Sequence, residues 1–434
     1  MSERNQGPSR SSGGSLTPRG WLVLLVVYML ALIVFGIVLE PSRDLWDGLL
    51  RILQAPGVLV SDYVDIGGAG AALVNAGLVG LSGLLLAQFS GVGFSGPIVA
   101  AVLTMAGFGL FGKNVWSIWP GILGVALFAQ VTRHSFKSYI IVAMFGTALA
   151  PLVTQVAFGF GLPLFPGLLL GTLAGLAVGF VLPPLAVYML RLHQGFSLYN
   201  VGLTCGFLGI VVIALLEGVG LEVLLAGHWS TAYSRLLGVA LLIYVLSMLV
   251  IGLVLARGLG RMRRLVREAG TLPSDFIESH GAGTTLINMG LVGLVGWGYI
   301  LFAGGVFNGP TVGGVMTMVG FAAFGKHVLN VLPVMAGVYL GSWVLVWEPG
   351  QAGPLLAALF ATTLAPLSGR FGPLLGVLAG MIHLTMVMRT GPWHAGLNLY
   401  NNGLAGGLTA TLIVSLITWW SSWREEHQGK KQRG

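Results

Sequence analysis

The chain has 434 residues, of which 8% are charged and 55% are hydrophobic, and its formal net charge is +8. Soluble domains carry about a quarter charged residues, so this composition excludes a soluble globular protein and predicts an all-α polytopic membrane protein. The basic balance does not indicate nucleic acid, because Arg and Lys lie in tails and loops. The single cysteine, Cys205, excludes an internal disulfide.

The chain divides into two membrane repeats. Residues 1–20 are predicted to be a disordered cytoplasmic tail, 21–217 a first repeat, 218–235 a loop, 236–420 a second repeat and 421–434 a basic cytoplasmic tail. At about 20 residues per crossing, the apolar segments number seven in each repeat. They are 21–39, 71–90, 94–112, 115–132, 138–160, 166–190, 196–216, 236–256, 284–303, 308–325, 328–347, 352–368, 371–388 and 395–420.

The two repeats are homologous. Ser61–Lys113 aligns without a gap on Ser274–Lys326, and 27 of the 53 paired residues are identical. Three further blocks recur: Thr-x-Leu-Ala-Pro, Leu-Gly-x-Leu-Ala-Gly and His-x-Gly-x-x-Leu-Tyr-Asn-x-Gly-Leu-x-x-Gly. Such a repeat indicates a duplicated structural unit, so function is expected where the halves meet.

Charge predicts how the repeats are oriented. The linker over 257–283 carries five arginines and is predicted to be cytoplasmic, whereas the equivalent linker over 40–70 carries four aspartates and is predicted to lie outside. The halves are therefore predicted to be inverted, with about 14 crossings and both termini cytoplasmic in a bacterial plasma membrane. Lys113 and the loop 389–394 do not follow the charge rule.

The third and tenth segments are candidates for broken or re-entrant helices. Each is rich in Gly and opens with Phe-x-Gly-Pro, which places Pro97 and Pro310 in a first helical turn. As half-helices, these segments would present free amides to a solute. The alternative is an ordinary Pro-containing helix with close Gly packing.

Over its whole length the chain resembles an uncharacterised bacterial family of polytopic membrane proteins, a resemblance that implies no substrate. Its plan is similar to the seven-plus-seven inverted-repeat transporters of the nucleobase and anion class, whose third and tenth segments are short half-helices. Its Leu-Tyr-Asn-x-Gly-Leu blocks resemble the Gly-x-Asn-x-x-Leu segments of urea transporters. Both resemblances imply a transporter architecture.

Duplicated polar residues are the candidate site. Asn75 and Asn288 lie inside Gly-rich helices, where a carboxamide offers donors and acceptors without a charge; interhelical hydrogen bonding is the alternative. Tyr199–Asn200 and Tyr400–Asn401 open the last segment of each half, with interfacial anchoring by the tyrosines as their alternative. The predicted substrate-binding residues are Asn75, Asn288, Tyr199, Asn200, Tyr400, Asn401, Pro97 and Pro310.

Charged residues and histidines form a second group. Each linker has one pair of acids spaced i, i+3, namely Asp62 and Asp65 in the first and Asp275 and Glu278 in the second. Each pair could bind a cation at the mouth of the path, or its first member could cap a helix. The two lysines could attract an anionic solute or snorkel to the interface, and the histidines could gate by protonation or be structural. The residues in this group are Asp62, Asp65, Asp275, Glu278, Lys113, Lys326, His193 and His394.

These patterns predict a transporter or facilitator of a small polar solute, bound near the midplane between two inverted repeats. The alternative is an intramembrane enzyme acting on a lipid-linked substrate, although no metalloprotease, Cys-cluster or phosphate-loop motif is present. The expected partners are the solute and the lipid bilayer, without nucleic acid, cofactor or metal. A homo-oligomer stays open.

Overall fold

The structure, a computed structural model, describes residues 16–224, 227–256 and 258–431. Within these ranges the fold is helical, with two isolated β-bridges and no strand. The helices of the first half are α1 (Pro18–Leu39), α2 (Ser42–Gln54), α3 (Tyr63–Gly67), α4 (Ala69–Phe89), α5 (Gly96–Phe108), α6 (Trp119–Val131), α7 (Ile140–Gly146), α8 (Ala150–Thr154), α9 (Leu164–His193) and α10 (Asn200–Gly218). Those of the second half are α11 (Ser234–Leu255), α12 (Gly260–Leu265), α13 (Phe276–His280), α14 (Ala282–Phe302), α15 (Gly309–Phe321), α16 (Val328–Val344), α17 (Ala352–Ala361), α18 (Ala365–Phe371), α19 (Pro373–Trp393) and α20 (Asn401–Lys431).

Ten helical stretches in these ranges are long and apolar enough to cross a membrane. Four of the fourteen predicted segments are shorter: α5, α6 and α15 have 13 residues each and α16 has 17. A helix of 13 residues is about 20 Å long, less than the roughly 30 Å hydrocarbon core. The protein is thus a multi-pass helical membrane protein with about ten candidate spans.

The predicted tails differ from the structure at their inner ends. Helix α1 begins at Pro18, three residues inside the predicted N-terminal tail, because Thr17 caps it through a hydrogen bond from the Gly20 amide. Helix α20 continues to Lys431 through most of the predicted C-terminal tail. Residues 1–15 and 432–434 of these tails, and Arg257 of the second linker, lie outside the described residues.

Equivalent helix pairs recur in the two halves. Helices α1 and α4 run antiparallel, with Gly36 against Gly70, and α11 and α14 repeat this contact with Gly252 against Gly283. Helices α6 and α9 run parallel through glycine contacts, as α16 and α19 do. Small residues let helix backbones approach closely where lipid supplies no hydrophobic drive between helices.

Helices α5 and α15 pack against each other between the two halves. Gly96 lies against Ala323 and Gly309 lies against Leu110, while Gly107 meets Gly313 between them, so the helices run antiparallel. Both helices are almost fully buried. The duplicated short helices therefore form the centre of the molecule.

The duplicated Phe-Gly-Lys sequence explains how each short helix ends. Gly112 and Gly325 have φ of 80° and 141°, values that favour glycine. The amide of the following lysine then donates back to the carbonyl of Phe108 or Phe321, five residues earlier. This i to i−5 bond with a positive-φ glycine is a Schellman-type cap, and it turns Lys113 and Lys326 back into the protein.

Candidate functional site: two lysine–tyrosine clusters beside a cavity

Each buried lysine joins the two halves through a tyrosine. Lys113 Nζ donates to Thr147 Oγ1 at 2.8 Å and to the Tyr400 hydroxyl at 2.6 Å. Tyr400 belongs to the second half, so the contact crosses the junction between the repeats. We call Lys113, Thr147, Tyr400 and Phe108 the first cluster, because the ammonium also lies 5.2 Å from the Phe108 ring centre and 4.4 Å from that of Tyr400.

The second cluster repeats this arrangement with the halves exchanged. Lys326 Nζ donates to Thr362 Oγ1 at 2.7 Å and to the Tyr199 hydroxyl at 2.5 Å. Its ammonium lies 4.5 Å from the Tyr199 ring centre and 5.0 Å from that of Phe321. We call Lys326, Thr362, Tyr199 and Phe321 the second cluster. Aromatic rings attract cations through their faces, so both ammonium groups have the same mixed hydroxyl and aromatic surroundings.

Both lysine side chains are fully buried, at 0% exposure. This differs from the snorkelling interpretation, and it explains why Lys113 does not follow the charge rule: that rule concerns residues at membrane surfaces, not in the protein interior. Within the described residues, no Asp or Glu forms an ion pair with either lysine. The lysine amino groups contact hydroxyls and aromatic rings instead.

A cavity of about 620 Å³ lies between the halves and touches both clusters. Residues at equivalent positions of the two repeats form its inner wall. They are Thr104 and Thr317, Phe108 and Phe321, Leu198 and Leu399, Tyr199 and Tyr400, and Gly202 and Gly403. Arg191 and Gln194 are exposed at one end of the cavity, beside Leu272, Pro273 and Ser274. The cavity is therefore shared by the repeats and opens at that end.

The cavity has one buried hydroxyl without a partner. Thr104 Oγ1 is buried and makes no hydrogen bond among the described residues. The equivalent Thr317 hydroxyl instead donates to the Gly313 carbonyl at 2.9 Å. Since buried polar groups are nearly always hydrogen-bonded, Thr104 has hydrogen-bonding capacity to offer a ligand in the cavity.

Asn75 and Asn288 occupy equivalent places behind the lysines. The Asn75 amide donates to the carbonyls of Gly109 and Lys113 at 2.7 and 2.8 Å. The Asn288 amide donates to those of Ala322 and Lys326 at 2.8 and 2.7 Å. These bonds correspond to the interhelical alternative, and they satisfy carbonyls left open at the ends of α5 and α15. Neither side chain lies on the cavity wall.

The His–Asn pairs are also equivalent. His193 Nε2 lies 3.1 Å from Asn200 Oδ1, and His394 Nε2 lies 3.1 Å from Asn401 Oδ1. Each asparagine amide donates to a carbonyl of the preceding helix, Ala186 or Val387. Of these four residues only Asn200 lines the cavity. The pairs fasten the loop before α10 and α20, and thereby position Tyr199 and Tyr400.

The structure does not bring the four asparagines to one point as the sequence suggested. Asn75, Asn288 and Asn401 take part in separate contacts within helix packing, away from the cavity wall. The two tyrosines meet at the cavity instead, because Gly202 and Gly403 are in close backbone contact just beyond them. The asparagine side chains donate to backbone carbonyls, and the duplication of the sequence alone does not reveal this structural role.

Asp62 and Asp275 each cap a short helix of the other half. The Asp62 carboxylate accepts from the Gly309 amide at 3.2 Å, the first residue of α15. The Asp275 carboxylate accepts from the Gly96 amide at 3.0 Å, the first residue of α5. The amides expected to be free for a solute beside Pro97 and Pro310 are thus bound to carboxylates, which suit the positive end of a helix dipole. Pro97 lies on the cavity wall and Pro310 does not.

The two aspartates differ in exposure. Asp62 is fully buried under the loop between the repeats, where the Ser230 amide donates to it at 2.8 Å, whereas Asp275 is half-buried. Burial raises the pKa of Asp62 to about 6, although backbone hydrogen bonds oppose the shift. Each aspartate also accepts from the amide two residues later and so caps α3 or α13.

Asp65 and Glu278 do not join the aspartates in a shared ion site. Asp65 is exposed and lies 2.9 Å from His228 Nδ1 of the loop between the repeats. Glu278 is exposed on α13. An i, i+3 spacing gives one face only within a helix, and here Asp62 and Asp275 precede their helices as caps.

Sequence reasoning missed Thr147 and Thr362. Both belong to the duplicated Thr-x-Leu-Ala-Pro block, and both begin a 3₁₀ turn inside a broken helix. Proline at the end of the block removes an amide donor and so favours this break. Thr147 and Lys113 both have an equivalent in the other half, Thr362 and Lys326. This shared duplication is the signal in the sequence that could identify the threonines. The aromatic pair Phe108 and Phe321 and the mouth residue Arg191 were also missed.

The fold and the cavity define a multi-pass helical membrane protein built from two homologous halves. A family model described as protein of unknown function (DUF1576) matches residues 42–218 and 256–419, so the chain belongs to that family. The two matched blocks omit α1 and α11, the first long helix of each half. No curated protein and no solved structure matches the chain.

Proposed function

We propose that this protein is a transporter or facilitator that moves a small solute across a membrane through the cavity between its halves. The observation that carries the proposal is the inner wall of this 620 Å³ cavity, to which both repeats contribute equivalent residues. Ligand sites commonly have 300–1,000 Å³. Solute sites of inverted-repeat transporters lie at the repeat interface.

We also propose that the halves are inverted with respect to the membrane. Helices α5 and α15 occupy equivalent positions in the repeats and run antiparallel against each other. Their N-termini lie at opposite ends of this pair, each capped by an aspartate of the other half. A two-fold axis in the membrane plane accounts for both features. With this axis, the arginines of the second linker favour the cytoplasmic side of a bacterial cell for that linker and for both termini.

The two ends of the symmetric wall differ in access. At the end with Ser274 and Asp275, the residues are half-buried and the cavity is open beside Arg191. At the equivalent end, Ser61 and Asp62 are fully buried, and the loop between the repeats covers them through hydrogen bonds of His228 and Ser230. This asymmetry fits one state of an alternating cycle, open to the predicted cytoplasmic side and closed outside.

Uptake by proteoliposomes tests the proposal. The purified chain is reconstituted, and uptake of a panel of labelled small solutes is measured without a gradient and with sodium or proton gradients. Transport by wild type that exceeds empty liposomes supports the proposal, whereas turnover of a lipid-linked substrate with no solute movement supports the enzyme alternative.

A cavity-filling variant ties transport to the site. Val142 lines the cavity and is half-buried, so Val142→Trp should block movement. Val187→Trp is the matched control, because Val187 is 55% exposed on α9 and lies away from the cavity wall. Equal transport by both variants would place the solute path elsewhere.

A further inference from the structure

We propose that the solute is an organic anion, whose carboxylate is held between Tyr199 and Tyr400 with the Lys113 and Lys326 ammonium groups behind them. This inference rests on the proposed function and names the class of solute for the same cavity. It assigns the two lysine–tyrosine clusters a binding role, in place of the neutral amides that the sequence suggested.

The first support is a pair of buried lysines without a counter-charge. The amino groups of Lys113 and Lys326 are buried between the halves, and among the described residues neither has a carboxylate partner. Buried charges are normally paired, because leaving water is costly for an ion. An anionic ligand in the adjoining cavity supplies the missing counter-charge to both clusters at once.

The second support is the direction of the hydrogen bonds. An ammonium group has only donors, so the Tyr199 and Tyr400 hydroxyls accept from Lys326 and Lys113. Each hydroxyl is also hydrogen-bonded to the threonine of its cluster, Thr362 or Thr147, and both tyrosines line the cavity, where a ligand oxygen could take the hydroxyl proton instead. A carboxylate is acceptor-only when ionised and has two oxygens, which matches two polarised hydroxyl donors.

Thr104 supplies an independent observation. Thr104 lines the cavity, and its hydroxyl is buried and lacks a hydrogen-bond partner among the described residues. Such an orphaned group is rare in a folded protein and points to a polar ligand atom beside it. The ligand thus meets polar groups on the inner wall, close to where the aromatic rings of both clusters lie.

The remainder of the cavity selects the body of the anion. Phe145, Phe321, Phe324 and Phe360 line it, and apolar walls favour an apolar body. Among the described residues, Arg191 is the one charged residue on the cavity wall, and it is exposed at the mouth. A positive mouth raises the local concentration of anions and excludes cations. The wall and mouth together favour an aromatic or aliphatic carboxylate.

Matched ligand pairs test the inference on the wild-type chain. Binding of benzoate, phenylacetate and butyrate to the detergent-solubilised protein is measured by tryptophan fluorescence, each beside its neutral amide. We expect at least one acid to bind about tenfold or more tightly than its amide, a factor that a charge-assisted hydrogen bond can supply. An amide that binds as tightly as its acid, or no binding by any acid, overturns the inference.

Variants then test the residues. Tyr199→Phe and Tyr400→Phe remove one hydroxyl each and keep the ring, so each should weaken acid binding and leave the amide unaffected. Lys326→Gln should abolish the preference for the acid, whereas Lys137→Gln, which changes an exposed lysine, should keep it. A preference that survives in the Lys113→Gln/Lys326→Gln double variant refutes the role of the clusters.

The outcomes separate this inference from the proposed function. Proteoliposomes that take up a neutral solute, while no acid is preferred in binding, leave the transporter standing and refute the anion. A preference for acids that depends on the clusters, in a protein through which no solute moves, supports the anion site and refutes transport.

Discussion

The contact between Lys113 and Tyr400 should show a strong energetic coupling. Lys113 Nζ and the Tyr400 hydroxyl oxygen are buried and 2.6 Å apart, and this oxygen is one of two that accept a hydrogen bond from the lysine. Hydrogen bonds to charged groups contribute about 1.5–3 kcal/mol, and replacing both partners by apolar groups can be nearly neutral. Tyr400→Phe should therefore cost about 1.5–3 kcal/mol in the wild type and close to none in the Lys113→Met background.

The assay is a double-mutant cycle on unfolding in mixed detergent micelles, read by the fluorescence of the twelve tryptophans. Tyr188→Phe is the matched control, because Tyr188 is 64% exposed on α9, and its cost should stay within about 0.5 kcal/mol in either background. An equal cost of Tyr400→Phe in both backgrounds would mean that the lysine does not rely on this hydroxyl, and the geometry of the first cluster would be wrong.

Two further predictions concern the caps and the glycines. Burial raises the pKa of Asp62 to about 6, above the unfolded value of about 3.9. The stabilising contribution of protonated Asp62 is thus fully present below about pH 4 and is lost as pH rises through about 6. The melting temperature of wild type minus that of Asp62→Asn should therefore fall between about pH 4 and about pH 6, and a flat difference would contradict the burial. A Cβ on Gly202 would lie 2.9 Å from the Gly403 Cα, whereas one on Gly218 of the same helix meets open space. Gly202→Ala should therefore cost about 1–3 kcal/mol, and Gly218→Ala should be neutral or stabilising. Equal melting temperatures of the two variants would refute the close contact.

Most of the architecture could be predicted from the duplication and the composition of the sequence. Glycine spacing and proline position indicated the short helices, because Pro97 and Pro310 suit a first helical turn and Gly112 and Gly325 take positive φ. Both rules concern local backbone geometry, which depends directly on the residue type at each position. The fourteen crossings and the inverted orientation depend on a membrane and stay predictions.

The candidate site was predictable only in part. Tyr199, Tyr400, Lys113 and Lys326 stood out by duplication, but the pairing of each lysine with the other half's tyrosine did not. This pairing arises only when the two halves pack together, because each lysine takes its tyrosine hydroxyl from the other half. Asn75 and Asn288 look like ligands from the sequence, because the sequence does not show the open carbonyls at the ends of α5 and α15 to which they donate.

Access to the cavity from the two sides of the membrane tests the central claim most directly. Cys205→Ser removes the single native thiol, and Val142→Cys then places a thiol on the cavity wall. A membrane-impermeant thiol reagent should label this residue from the cytoplasmic side and, more slowly, from the outer side as the halves alternate. Labelling from neither side, or from one side alone under all solute and gradient conditions, would contradict a transport path between the halves.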